Sequence, residues 1–238
     1  MNYVSILGLV LAALCLLGLG TSGLGYRWGV WSYKTGISIV KCSGFISVAA
    51  VVVCIIGIWH SRWKVFPEGM APAVVGLIIA ASVLALTLAW KRKLNSHPYI
   101  HDITTDTENP PAFDAILPLR ANAENPAVYG GPELARQQLA AYPDLKPIVI
   151  SEPPQAAFTR AVQVAQDMGW KIVNANPQSL RIEATDTTFW FGFHDDVVIR
   201  ITPAPTGSRI DVRSVSRVGK SDLGTNARRI EAYLSRMV

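Results

Sequence analysis

The run His194-Asp195-Asp196 sets an imidazole beside two carboxylates, the residue types that bind a divalent cation or move protons as general acid and base. Its spacing argues against both uses. Neighbouring side chains on a strand point to opposite faces, so Asp195 and Asp196 diverge, and no second His or Cys cluster supplies the remaining ligands. An Asx-type turn or an ion pair to Arg200 or Arg213 is the plainer role. Just upstream, Phe189, Trp190, Phe191 and Phe193 crowd around Gly192. Such aromatics either plug the end of a core or meet a lipid interface or a partner protein. The segment Asp222 to Arg229 offers a helix N-terminus with Gly224, Thr225 and Asn226, whose amides suit an anion beside Arg217 and Lys220, or simple capping by Ser221 or Asp222. GxSxG, HExxH and CxxC are absent, and Ser214 and Ser216 have no His placed by sequence to activate them. We therefore expect no catalytic residue, no metal and no cofactor.

The elements that must position these residues follow from periodicity. Phe158, Ala161, Val162, Ala165 and Met168 share one helical face, and Gly169 suits a left-handed cap after them. Four strand signals follow, at 171–174, 179–185, 196–202 and 209–216, and a last helix starts near Ser221 or Asp222 with Leu223, Ala227, Ile230 and Leu234 inward. This order predicts a two-layer α+β domain over 154–238 with an antiparallel sheet under two helices. Val197, Ile199, Ile201, Ile210 and Val212 form its core face. On the opposite parity lie Arg200, Asp211, Arg213 and Arg217, with Arg181 and Glu183 nearby. They are expected to form either a solvated lattice of cross-strand pairs or an anion-binding surface. Together with Phe191 and Phe193 they make the candidate binding surface, and His194, Asp195 and Asp196 the candidate acidic cluster.

Upstream, ten prolines between His97 and Pro154 exclude long helices and central strands. Residues 94–153 read as an extended connector with one short helix near Pro132 to Ala141. Residues 1–93 are different again. Tyr3 to about Gly25, Gly36 to Trp59 and Ala71 to Trp90 hold one charge among them, Lys41, and each meets the roughly 20 apolar residues a bilayer span needs. We read three transmembrane helices. A cleaved signal peptide fits the first less well, because its N-terminus lacks a cationic region. Tyr26, Trp28, Trp31, Tyr33, Trp59, Trp63 and Trp90 sit at the span ends as interfacial anchors. Lys41 is near enough to its helix start to snorkel, which argues against an ion pathway.

Charge follows the same division. Residues 1–93 carry eight basic and one acidic residue, and 94–238 carry fourteen and sixteen. The basic balance thus belongs to segments flanking the spans, and nucleic acid is excluded as a partner. The expected partners are the lipid bilayer and a membrane or envelope protein. Cys15, Cys42 and Cys54 all lie among the spans, leaving the remainder free of cysteine, which suits either side of a membrane. The positive-inside count sets Arg27, Lys34, Lys41, Lys91, Arg92 and Lys93 against Arg62 and Lys64, and so favours a cytoplasmic domain.

Several segments also resemble a known family. The run Phe191 to Asp196, the arginine ending Val197 to Arg200, Asp211-Val212-Arg213-Ser214, Ser216-Arg217, Gly219, Asp222-Leu223-Gly224, Asn226 and Arg229-Ile230 are similar to the family catalogued as domain of unknown function 1499. His101 to Asp106 and Pro110-Pro111-Ala112-Phe113 resemble the stretch preceding that domain in three-helix proteobacterial members. The likeness covers about residues 98–238 and implies no reaction. It does imply a bacterial inner-membrane protein whose domain faces the periplasm, against the charge count. The function expected is a non-enzymatic envelope module binding lipid headgroups or a protein partner. The alternatives are a metal-assisted hydrolase using His194, Asp195 and Asp196, or an accessory subunit of a larger complex.

Overall fold

The computed structural model describes residues 2–63 and 69–238, in two compact units. One runs up to Asn95 and includes Trp190–Gly192, and the other comprises Ser96–Phe189 and Phe193–Val238.

The first unit holds α1 (Tyr3–Arg27), α2 (Tyr33–Trp63) and α3 (Met70–Ser96), all long and apolar enough to cross a membrane. Each outruns its apolar run because polar flanks such as Lys91-Arg92-Lys93 continue the helical ladder. Large side chains point outward, including Leu7, Leu14, Leu17, Phe45, Ile78 and Leu86, while small ones, Gly8, Ala12, Cys15, Ala73, Gly76 and Ala80, lie inside. That inversion suits lipid, where the hydrophobic effect does not drive helices together and close packing of small residues does. A Cβ added at Gly8 would sit 2.7 Å from the Cys54 sulfur, and one at Gly57 2.8 Å from Ser5 Oγ. Of the expected anchors and flanking charges, Lys64 and the Trp63 side chain lie outside the described residues.

The second unit is an α+β domain. Its sheet has six strands: β1 (Asp102–Thr104), β2 (Ile148–Ile150), β3 (Lys171–Asn176), β4 (Arg181–Thr187), β5 (His194–Ala204) and β6 (Gly207–Ser216). The order is β1-β6-β5-β4-β3, with β2 also on β6, and all pairings are antiparallel. α5 (Pro154–Asp167) starts on a proline, which suits a first turn, and ends before Gly169 at φ +78. The β5–β6 hairpin closes at Gly207, whose φ of +136 and position 2.1 Å from Ile150 O for an added Cβ leave no room for a side chain. All five expected core residues are buried, under Ala157, Phe158, Ala161 and Val164 of α5 and Ala227, Ile230, Tyr233 and Leu234 of α6 (Thr225–Met237).

Two expectations change. The last helix begins three or four residues later than its pattern suggests, because Leu223 and Gly224 adopt left-handed conformations at φ +55 and +71. Residues 221–224 form a turn, and the Asp222 carboxylate caps from inside it, accepting from Gly224 N and Asn226 N. The larger change concerns the proline-rich segment. From Ser96 onward it groups with the domain, supplying β1, β2, α4 (Gly131–Ala141) and a 3-10 turn at Leu117–Arg120. Its irregular part lies over the second face of the sheet, where Phe113 and Ile116 pack on Val198 and Val215. The prolines that prevent long elements are compatible with a coil that follows a sheet surface.

Candidate functional site

The polar centre of the domain is the sheet face beneath this cover. Register alone brings its charged residues together: Arg181 stands opposite Arg200, Thr185 opposite Asp196, and Arg200 opposite Asp211. Arg213, on β6, is 2% exposed. Its Nε and Nη2 donate to the two oxygens of Asp102 at 2.9 and 2.8 Å, Nη2 also to Ala127 O at 2.8 Å, and Nη1 to Pro111 O at 3.2 Å. The guanidinium lies 5.2 Å from the Phe113 ring and 5.4 Å from Tyr129, so aromatic faces and carbonyls replace its water. Burial and the Asp102 charge push the Tyr129 phenol up to about 12, and its hydroxyl is buried without a partner.

Asp196 is fully buried and takes two arginines. Arg217 is bidentate to it at 2.8 Å on both oxygens, Arg120 reaches Oδ2 at 2.5 Å, and Thr185 Oγ1 donates to Oδ1 at 2.7 Å. Asp195 points to the other face, where Arg229 of α6 donates to it at 2.6 Å and to Asp186 at 2.7 Å. Arg229 also meets Ser214 and Asn226, and Asn226 ties α6 to His101 O and Ser216. Asp211 is 1% exposed and shares Arg200 and Arg209 with Asp106. Glu183 accepts from the backbone N–H groups of Asp114, Ala115 and Ile116 at 2.9 to 3.3 Å, and Arg181, which faces it at 3.0 Å, also donates to Ala112 O. Gln138 of α4 spans Thr104 N and Thr104 O like an added strand residue.

The residues singled out from sequence therefore fall in separate places. Asp195 and Asp196 are buried on opposite faces and each is neutralised by arginine. Arg213 and Asp211 are buried, so neither presents to solvent as the anion-binding surface would require, and the solvated lattice is likewise a covered one. Arg200 and Arg217 keep partial exposure. Phe191 is 2% exposed and belongs to the helical unit, where it stacks on Trp90 at 6.2 Å. Phe193 is half-buried, its N–H on Thr188 Oγ1. His194 is exposed and hydrogen-bonds Thr187 at 3.0 Å. Partial burial of its ring, with Arg217 and Lys171 beside it, lowers its pKa despite the nearby Asp195 and Asp196. Burial raises the Asp222 carboxyl against the pull of its two capping amides. Among the described residues no group of three or more His, Cys, Asp or Glu could hold a metal ion.

Asp102, Asp106, Arg120 and Arg209 complete the lattice although periodicity gave them no role. Asp102 and Asp106 stand in the segment that resembles the family, whereas Arg120 has no local signal, being 76 residues from its carboxylate. Comparison with known proteins is consistent with that resemblance: residues 102–237, more than half the chain, match a family described as a protein of unknown function (DUF1499). No curated protein matches the chain.

Proposed function

The chain belongs to the DUF1499 family of proteins of unknown function, and on that footing we propose a non-enzymatic membrane protein of the bacterial envelope whose α+β domain engages lipid headgroups or a protein partner. The observation that carries the reading is the use of the charged groups within the fold. Asp102, Asp195, Asp196, Asp211 and Glu183 are each committed to arginines or backbone amides, in the way of a structural network and unlike a poised acid and base. Contact then falls to partly exposed Arg200, Arg217 and Phe193, and to the exposed apolar side chains Leu117, Leu119 and Val128 of the segment covering the second face.

The rival is metal-assisted hydrolysis through His194, Asp195 and Asp196. His194→Ala separates the two, because the exposed imidazole bonds only Thr187 Oγ1 among the described residues and stands outside the buried lattice, so its loss should leave the fold intact. An unchanged phenotype in a strain relying on the variant, with no stoichiometric metal in the purified full-length protein, supports the binding role. Lost function in a folded His194→Ala protein overturns it. Quantitative co-purification from native membranes tests the surface: Leu119→Ser with Val128→Ser should release a stoichiometric partner, and an unchanged set of co-purifying proteins argues against this surface.

The proposed side is the periplasm, on the family resemblance and against the positive-inside count. Ser208 is buried, its hydroxyl on Glu152 O, so a labelling cysteine belongs at exposed Thr206. In a background lacking Cys15, Cys42 and Cys54, reaction of Thr206→Cys with an impermeant maleimide in cells with a permeabilised outer membrane supports the periplasmic side. Reaction only after lysis reverses the assignment.

A further inference from the structure

We propose that the helical unit holds an anionic phospholipid against its α1–α2 hairpin, with an acyl chain in the groove between the two helices and the phosphate on Lys34 and Lys41. The proposal rests on the helices spanning a bilayer. The groove encloses about 360 Å³ between Leu11, Leu14 and Cys15 of α1 and Ser38, Ile39 and Ile46 of α2, among others. That volume falls in the roughly 300–1,000 Å³ range of small-molecule sites. α3 contributes nothing to the lining. Small residues create the groove. At Gly18 an added Cβ would meet Ser43 Oγ at 2.7 Å, so the backbones approach closely there and leave space beside the seam.

Its length and charge select the occupant. From Thr35 to Ile46 the α2 side of the groove covers roughly 16 Å at 1.5 Å per residue, close to the roughly 15 Å of hydrocarbon in one leaflet. Thr35 is near the start of α2, so the groove begins at the interfacial end marked by Tyr26, Trp28, Trp31 and Tyr33. Lys34, Ser38 and Lys41 follow at i, i+4 and i+7, a single stripe along α2, and Ser38 itself lines the groove. The Lys34 ammonium lies 5.5 Å from the Tyr33 ring centre, and Lys41, exposed two turns along, can reach toward the same headgroup layer along its aliphatic stem. Arg27 ends α1 just across the turn. Residues 1–67 contain no Asp or Glu, so the charge of the hairpin is wholly basic. A zwitterionic headgroup brings its own cation to this basic stripe, whereas an anionic one does not.

The test is native mass spectrometry of the full-length protein in detergent, titrated separately with phosphatidylglycerol and phosphatidylcholine. Phosphatidylglycerol should be retained preferentially. Lys34→Gln with Lys41→Gln should weaken its binding by roughly tenfold or more and leave phosphatidylcholine little changed. Lys91→Gln with Arg92→Gln, on a helix that does not line the groove, should keep the preference. Ser38→Trp fills the groove and should reduce retention of both lipids, with Cys42→Phe as a second filler if that variant is not monodisperse. Equal binding of the two lipids by the native protein, or undiminished phosphatidylglycerol binding by the Lys34→Gln, Lys41→Gln variant, overturns the proposal. An equal loss in the Lys91→Gln, Arg92→Gln variant overturns it too, since bulk charge would then suffice, as does undiminished binding in the groove-filling variants.

Discussion

The two faces of the sheet are built from the same strands, yet they are packed by different physics. Toward α5 and α6, Val197, Ile199, Ile201, Ile210 and Val212 make an apolar interior that tolerates approximate shape. Toward the proline-rich cover, Arg213, Asp196 and Glu183 are equally buried, and each takes a specific partner from a distant segment. Apolar packing fixes that helices lie on a face; a lattice of paired charges fixes which stretch of irregular chain lies on it and in what register. We attribute the order of a cover with so little regular structure to that directionality, since few backbone hydrogen bonds of its own define its path.

Substitutions can break this contrast or sharpen it. The largest effect is expected for Arg213→Ala, which strands the buried Asp102 carboxylate and should cost about 3–5 kcal/mol, read by urea unfolding of the full-length protein with pulse proteolysis. Ile199→Ala on the apolar face leaves a cavity and should cost about 3 kcal/mol in the same assay. The joint replacement Asp102→Leu with Arg213→Met removes both charges at once. It should restore stability to within about 1 kcal/mol of the native protein, while the cover over Phe113 and Tyr129 exchanges amide hydrogens faster. A double variant as unstable as Arg213→Ala alone would mean that the ion pair contributes net stability and not chiefly register.

The smallest effect concerns pH. The folded state holds the His194 pKa below its ordinary value of 6.5, so it favours the neutral ring. That contribution is fully present above pH 6.5 and is lost as pH falls through the depressed value. His194→Gln should flatten the acid side of the stability profile without altering it near pH 8. An unchanged acid limb would overturn that contribution of His194.

Much of this architecture was legible in the residues. Long apolar runs specify their own helices, because each span satisfies its backbone internally and is chosen by composition alone. The alternation from Val197 to Val212 likewise marks the core face, since it reports a periodicity within one strand pair. Even the divergence of Asp195 and Asp196 follows from the two-residue repeat of a strand.

What only the tertiary structure decided was every relation between segments remote in sequence. Nothing near Arg213 points to Asp102, 111 residues away, nor anything near Arg120 to Asp196, so the exposed arginine surface expected from the alternation is an interior. The same holds for residues 94–153. Their prolines report correctly that long elements cannot form, but local conformation is silent about what an irregular chain covers. The sequence by itself determined where helices and strands lie and which face of the sheet is apolar, because those depend on neighbours along the chain. Burial of the other face depends on partners brought close only by folding, and that is where the candidate site was decided.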